Sequence, residues 1–300
     1  MSTTPVHTRQ SVEITVLIPA YNEAPALKPV IDAVRRVMDG TTRTYEILVV
    51  DDCSTDDTAA VARECGVRVF SHVFNQGSGA SRRTGIREAN GEIIIMLDGD
   101  GTYEPATIPE MLTWMPEYDQ VNGARTSEQG SHKMLRMPAK WFIRRLAIYL
   151  SGQHIPDLNT GLKAFKRSVM MRYLWLLPDG FSCVTTMTLA FLTNGHPVKY
   201  VSTPYYKRIG QSKFHPIKDT IRYVNTVVRM CAYFRPLRVF GPVAVMFLLG
   251  SVVWGIYGRL SRSHDPLDTS TILFFCTGII IGAIGILLDV IVSQRREVMK

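Results

Sequence analysis

Apolar residues follow three patterns along this chain, and each predicts a different kind of element. From Glu13 to Leu97, short β-branched runs alternate with stretches at helical spacing. Glu13–Ile18 and Tyr45–Val50 read as strands, and between them Leu27, Val30, Ile31, Val34 and Met38 fall on one face of a helix around Ala26–Met38. The alternation continues with a helix near Thr55–Glu64, a strand at Val67–Phe70, a helix at Ala80–Ala89 and a buried-type strand at Glu92–Leu97. It predicts an α/β fold with a mostly parallel, helix-covered sheet.

The second pattern is uninterrupted. Val239–Gly258 has 20 residues without a charge, and Thr271–Val292 has 22 with only Asp289 ionisable. Each is long enough to cross a bilayer, at about 1.5 Å per helical residue. A buried hairpin of a soluble protein is the competing reading, but two such lengths separated by a twelve-residue, mostly polar stretch favour two membrane spans. Asp289 lies near the end of its run, within reach of the interface. Gly278, Gly282 and Gly285 would suit helix packing, either within the chain or between copies of a homo-oligomer.

The third pattern is amphipathic. Ile217, Ile221, Val224, Val228 and Cys231 share one helical face, with Lys218, Arg222 and Arg229 on a stripe beside it. Next to a membrane span, this predicts a helix in the headgroup layer, in contact with membrane lipids. Lys133–Leu150, which mixes Trp141, Phe142 and Tyr149 with Lys140, Arg144 and Arg145, is a second interfacial candidate.

Charge sharpens the picture. The 300 residues carry a net charge of +8, and the excess is concentrated between Val201 and Arg238, where basic residues far outnumber the single acid Asp219. That concentration suits anionic lipid or a phosphorylated substrate. No nucleic-acid partner is expected, because the basic segment is not read as a stacking platform of interleaved aromatics. The 46% hydrophobic content excludes a disordered chain. Five cysteines, at 53, 65, 183, 231 and 276, form no CxxC pair and suit a reduced compartment. The polar N-terminus has no signal-peptide pattern, and basic residues flank both runs (Arg229, Arg235 and Arg238; Arg295, Arg296 and Lys300), so the catalytic part is expected on the cytoplasmic face. The expected organisation is a catalytic domain over 1–212, an interfacial helix over 213–238, and spans at 239–258 and 271–292.

Ligands on parallel sheets bind at the carboxyl ends of the strands. Three ends here are acidic: Pro19-Ala20-Tyr21-Asn22-Glu23, then Asp51-Asp52-Cys53-Ser54-Thr55-Asp56, then Asp98-Gly99-Asp100-Gly101. Carboxylates gathered at one edge repel unless a cation or donor hydrogens sit among them, and Asp-x-Asp spacing lets two oxygens reach one hard divalent ion such as Mg²⁺ or Mn²⁺. The Gly-rich stretch Asn75–Gly85 opens a helix where backbone amides could approach a phosphate. It is not the dinucleotide fingerprint, whose third glycine would fall at Arg82, and there is no P-loop. The seven histidines lack zinc-binding spacing.

Seven motifs in order resemble family 2 of the glycosyltransferases, and within it the polyprenyl-phosphate sugar synthases: IPAYNE (Ile18–Glu23), DDCSTD (Asp51–Asp56), N-x-G-x-G (Asn75–Gly79), DGDG (Asp98–Gly101), NGAR (Asn122–Arg125), DLNTG (Asp157–Gly161) and RIGQSKF (Arg208–Phe214). The resemblance implies a GT-A fold that binds a nucleotide-diphosphate sugar, UDP-hexose or GDP-hexose, through Pro19, Ala20, Tyr21, Glu23, Asp52, Gly79 and Asp98. It implies metal ligation by Asp98 and Asp100, and an acceptor phosphate among Arg125, Arg136, Arg208 and Lys213. Relatives commonly have Gln two positions after the second metal aspartate, where this chain has Thr102. Asp157 is a candidate base or sugar-orienting group, or a cap of its own loop. A polyprenyl phosphate is already anionic at neutral pH, so placement and charge compensation matter more than a base, and one in-line displacement would invert the anomeric centre. UDP-glucose is the preferred donor, with GDP-mannose as the alternative. A hydroxyl acceptor and a non-catalytic binding protein are the other readings.

Overall fold

The structure, a computed structural model, describes residues 12–126, 144–145, 147–149, 152–180, 182–208, 225–226, 228–230, 232–261 and 268–298. Arg136, Lys213 and most of both candidate interfacial helices lie outside the described residues. The chain divides into two compact units, Met1–Trp141 with Ile155–Arg222, and Phe142–His154 with Tyr223–Lys300.

The first unit is built on a seven-stranded sheet. Its strands are β1 (Ile14–Ala20), β2 (Tyr45–Asp51), β3 (Arg68–Ser71), β4 (Ile93–Met96), β5 (Gln120–Arg125), β6 (Lys163–Lys166) and β7 (Val198–Thr203), in the order β3-β2-β1-β4-β6-β5-β7. The first four strands are mutually parallel, as the alternating pattern predicts. β6 then runs antiparallel to both β4 and β5, while β5 pairs parallel with β7. One strand of the seven, β6, is therefore reversed in a sheet that is otherwise parallel, as the pattern predicts.

The helices follow from the same periodicity. In α1 (Ala24–Asp39) the residues Leu27, Val30, Ile31, Val34 and Met38 are all buried, and a proline sits in the first turn, where a missing N–H costs nothing. α2 (Thr58–Glu64) is shorter than expected. α3 (Ser78–Glu88) begins two residues earlier than predicted and seats Gly85 on β1, where a Cβ would fall 2.1 Å from Leu17 Cδ1. α4 (Ile108–Trp114) and α5 (Arg167–Tyr173) follow.

α6 (Cys183–Thr193) has no counterpart in the sequence reading: every residue is buried, so it shows no amphipathic period. Three of its threonines satisfy their hydroxyls locally, Thr186 on Ser182 O at 3.0 Å, Thr188 on Val184 O at 3.3 Å and Thr193 on Leu189 O at 2.5 Å. Against it lies Lys163, fully buried in β6, whose Nζ donates to Thr188 Oγ1 at 2.7 Å and to Asn122 Oδ1 at 3.1 Å. Burial pushes this amine down to about 7, because a charged ammonium is poorly solvated there.

The second unit contains α7 (Pro236–Ser261) and α8 (Thr269–Val298), both long and apolar enough to cross a membrane. Only 11% and 17% of their most apolar windows are buried, unlike core helices of a soluble protein. The glycine stripe of α8 faces α7: a Cβ at Gly278 would fall 2.8 Å from Leu248 Cγ, and one at Gly285 would fall 2.9 Å from Phe240 Cβ. It is thus used within the hairpin. Ser251 Oγ donates to Thr271 O at 2.9 Å, and Asp268 caps α8 by accepting from Thr271 N at 2.8 Å. In the same unit Arg238 Nη1 donates to Tyr149 O at 2.7 Å.

Candidate active site

Sheet topology selects one edge. Parallel strands β1, β2 and β4 end there, and β6, running backwards, begins there, since Met96 pairs with Lys163. β5 and β7, both opposed to β6, end at the same edge. β3, parallel to β2, also ends there, so seven loops that are far apart in sequence meet, and they contain every motif that the described residues cover.

Two of these loops are joined by short polar contacts. Asn22, in the left-handed region at φ 54°, donates its backbone N–H to Ser54 Oγ at 2.9 Å, and its side-chain Oδ1 accepts from Thr55 N at 2.8 Å. Glu23 N donates to Thr58 Oγ1 at 2.9 Å. Asp52 is almost wholly buried and holds the Gly-rich loop: Oδ1 accepts from Gln76 N at 2.9 Å and Oδ2 from Gly77 N at 2.8 Å, with His72 Nδ1 2.7 Å away. His72, not anticipated from sequence, is braced on its other side by Thr84 Oγ1 at 2.9 Å. Gly79 packs against a second loop of the same unit. Its N–H donates to Asp179 O at 2.6 Å, and a Cβ would lie 2.0 Å from Pro178 O, so this glycine serves a backbone–backbone approach and does not line the cleft.

The cleft, about 330 Å³, is lined by Pro19, Ala20 and Tyr21, by Asp98 and Asp100, and by Arg82 and Arg208. Arg82, at the position where a dinucleotide fingerprint would need glycine, donates to Asp98 Oδ1 at 2.6 Å. Gly161 allows the DLNTG loop to pass Asp98, since a Cβ there would fall 2.3 Å from Asp98 Oδ2. Asp100 Oδ1 accepts from Thr102 N at 3.1 Å and Thr102 Oγ1 at 2.6 Å. Its Oδ2 lies 3.5 Å from Arg208 Nε, and Arg208 also pairs with Glu23. Burial and the neighbouring Asp98 charge push the Asp100 carboxyl up, while Thr102 and Arg208 oppose the rise.

This corner fits a hard divalent cation. Asp98 and the more deeply buried Asp100 repel each other and draw only partial compensation from arginine. Among the described residues no group of three His, Cys, Asp or Glu side chains gathers there, and the Thr102 hydroxyl is spent on Asp100. Further oxygens on such an ion would come from outside the protein.

Arg125 and Asp157 form a separate constellation that does not line the cleft. Arg125 Nε and Nη2 donate to Asp157 Oδ2 and Oδ1 at 2.6 and 2.9 Å, a bidentate fork, and Asn159 N adds a bond to Oδ1 at 3.0 Å. The Arg125 guanidinium stands 5.1 Å over the Tyr205 ring. Burial alone would raise the Asp157 carboxyl, but the Arg125 fork and charge outweigh it and hold the group below the usual carboxylate range. Both oxygens are committed, which suits Asp157 to orienting Arg125 and capping its loop better than to taking a proton.

Comparison with known proteins agrees with this layout. The Glycosyl transferase family 2 model matches residues 15–174, just over half of the chain. The chain belongs to glycosyltransferase family 2. A GtrB C-terminal hairpin model matches residues 235–293, which cover most of α7 and α8. This family 2 transferase is 31% identical to Glycosyltransferase AglJ of Haloferax volcanii, with 96% of each chain covered. It is 28% identical to the Dolichyl-phosphate hexose transferase of the same organism, over 73% of this chain and 94% of that protein. It is 29% identical to an Undecaprenyl-phosphate 4-deoxy-4-formamido-L-arabinose transferase of Klebsiella pneumoniae, over 79% and 73% respectively. Among solved structures, glucosyl-3-phosphoglycerate synthase from Mycobacterium tuberculosis, in complex with Mn²⁺, UDP-glucose and phosphoglyceric acid, superposes with a TM-score of 0.57 at 19% identity, covering 73% of this chain and 80% of that one. At that identity the likeness is one of fold, and it bears out the expected GT-A architecture.

Proposed function

We propose that this glycosyltransferase moves a hexose from a nucleotide-diphosphate sugar to polyprenyl phosphate, at the cytoplasmic face of a membrane and with inversion at the anomeric carbon. The observation that carries the reading is the convergence, at one sheet edge, of the Asp98–Asp100 corner with Arg82, Arg208 and the Arg125–Asp157 fork, in a chain with two membrane-length helices. Relatives named as dolichyl- and undecaprenyl-phosphate sugar transferases support the acceptor class. The Mn²⁺ and UDP-glucose held by the structural neighbour support the donor class. UDP-glucose is the first donor to test and GDP-mannose the second.

The donor diphosphate would enter the cleft beside Asp98 and Asp100. Mg²⁺ or Mn²⁺ held by those carboxylates would neutralise charge on the departing nucleotide. Pro19, Ala20, Tyr21 and Glu23 form the wall against which the nucleotide would lie, with Asp52 fixing the adjacent loop. The acceptor phosphate already has its negative oxygens at pH 7, so no side chain needs to deprotonate it. Its charge is met by Arg125 and Arg208, with Arg136 and Lys213 in the same role from outside the described residues. Arg208 now spends its guanidinium on Glu23 and Asp100, and the arriving phosphate and cation would take over those partners between them.

The test is transfer of radiolabelled sugar from a panel of UDP- and GDP-hexoses into organic-extractable lipid by purified protein, with polyprenyl phosphate, Mg²⁺ or Mn²⁺, and chelator as control. One chelator-sensitive lipid product is expected. Protein that binds nucleotide but labels no lipid from any donor would overturn the proposal and move the weight to a hydroxyl acceptor.

A further inference from the structure

The DLNTG loop, residues 157–161, touches both halves of the site, and two anchors hold it. At one end Tyr103 Oη accepts from Gly161 N at 2.6 Å, just where Gly161 passes Asp98. At the other end Thr185 Oγ1, on the buried helix α6, donates to Asn159 Oδ1 at 2.6 Å. Thr185 differs from its neighbours in the helix. Thr186, Thr188 and Thr193 bond back to carbonyls one turn earlier, whereas the Thr185 hydroxyl reaches off the helix to the loop.

From Asn159 the contact path is short. Its N–H donates to Asp157 Oδ1, and Asp157 holds Arg125 in a fork. We propose that Thr185, acting through Asn159, is a positioning residue that aims Arg125 at the acceptor phosphate, while the Tyr103–Gly161 anchor serves the donor corner. This rests on the acceptor reading given above. Thr185 itself is fully buried and touches no reactant. Its effect comes from fixing Asp157, since a guanidinium misplaced by a fraction of an ångström loses much of its value to a bidentate partner.

The two anchors make the inference separable from a general packing role. Thr185→Val keeps the shape of the buried side chain and removes the donor. The expected result is an acceptor KM raised roughly tenfold with donor KM within about twofold, recovery in Thr185→Ser, and the opposite selectivity in Tyr103→Phe. Thr185→Ala is the second variant should valine not fold. Equal increases in both KM values, or serine failing to recover activity, would overturn the inference, as would no change at all. Hydrogen exchange of the Arg125 Nε–H in the wild type and Thr185→Val provides a readout that needs no acceptor. Faster exchange in the variant supports the relay even if polyprenyl phosphate proves not to be the substrate. Unchanged exchange rejects it.

Discussion

Two aspartate–arginine arrangements stand at the same sheet edge and have opposite characters. Asp98 and Asp100 face a cleft, sit within reach of each other's charge, and share arginines that also serve other groups. Asp157 has one arginine in a two-pronged fork and a backbone amide besides. Burial works against the charged form at Asp100 and at Asp157 alike, yet the first is left short of partners and the second has them in full. An under-compensated pair is ready to exchange partners for a cation, whereas a saturated one is suited to holding another side chain still.

The largest effect is expected at the open pair. Asp100→Asn should lower kcat by about 10³ or more, with a Tm equal to or above that of the wild type, because it relieves like-charge repulsion. Turnover that stays near wild type and remains sensitive to chelator would break the contrast. A smaller and different loss is expected at the saturated pair. Asp157→Asn should raise acceptor KM by roughly tenfold and leave the shape of the kcat–pH profile unchanged. Loss of the acidic limb of that profile would instead make Asp157 a base.

The smallest effect concerns a third ionisable group, which has no carboxylate hydrogen-bonded to it among the described residues. Lys163 has a folded pKa of about 7 against 10.5 for a free amine. The folded chain therefore binds fewer protons than the unfolded one between those values, and the destabilisation is fully present below pH 7 and relieved as pH rises toward 10.5. The Tm of Lys163→Met relative to wild type should accordingly fall between pH 7 and pH 10, on the order of 10 °C. A gap that stays constant with pH, measured by thermal melts in matched buffers, would show that the lysine is charged in the core.

The parallel half of the sheet and its acidic loops were legible because β-branched runs and one-faced helices leave strong periodic signals, and because Asp98-Gly-Asp100 sits directly after a strand. The reversal at β6 left no such signal, since a four-residue strand reads the same in either direction. α6 was invisible for the converse reason, being buried on every side. The motif positions found the right neighbourhood but not the division of labour within it. Asp52 holds the neighbouring Gly-rich loop, Gly79 faces Pro178 and Asp179, and Arg82 and His72 emerge as partners of the motif residues Asp98 and Asp52. Such pairings depend on side chains crossing between distant segments, which one-dimensional spacing does not encode.

The reversed strand also has a consequence for how this molecule can be taken apart and recombined. Main-chain pairing between the sheet's first half and the remainder runs through one ladder, Ile93–Met96 against Lys163–Lys166. Because backbone pairing across a ladder tolerates changes of side chain, that ladder is a natural seam for building chimeras. A donor-side cassette ending at β4 could be exchanged between relatives to reassign nucleotide choice, provided that Arg208, which reaches back across the seam to Glu23, travels with a matching partner.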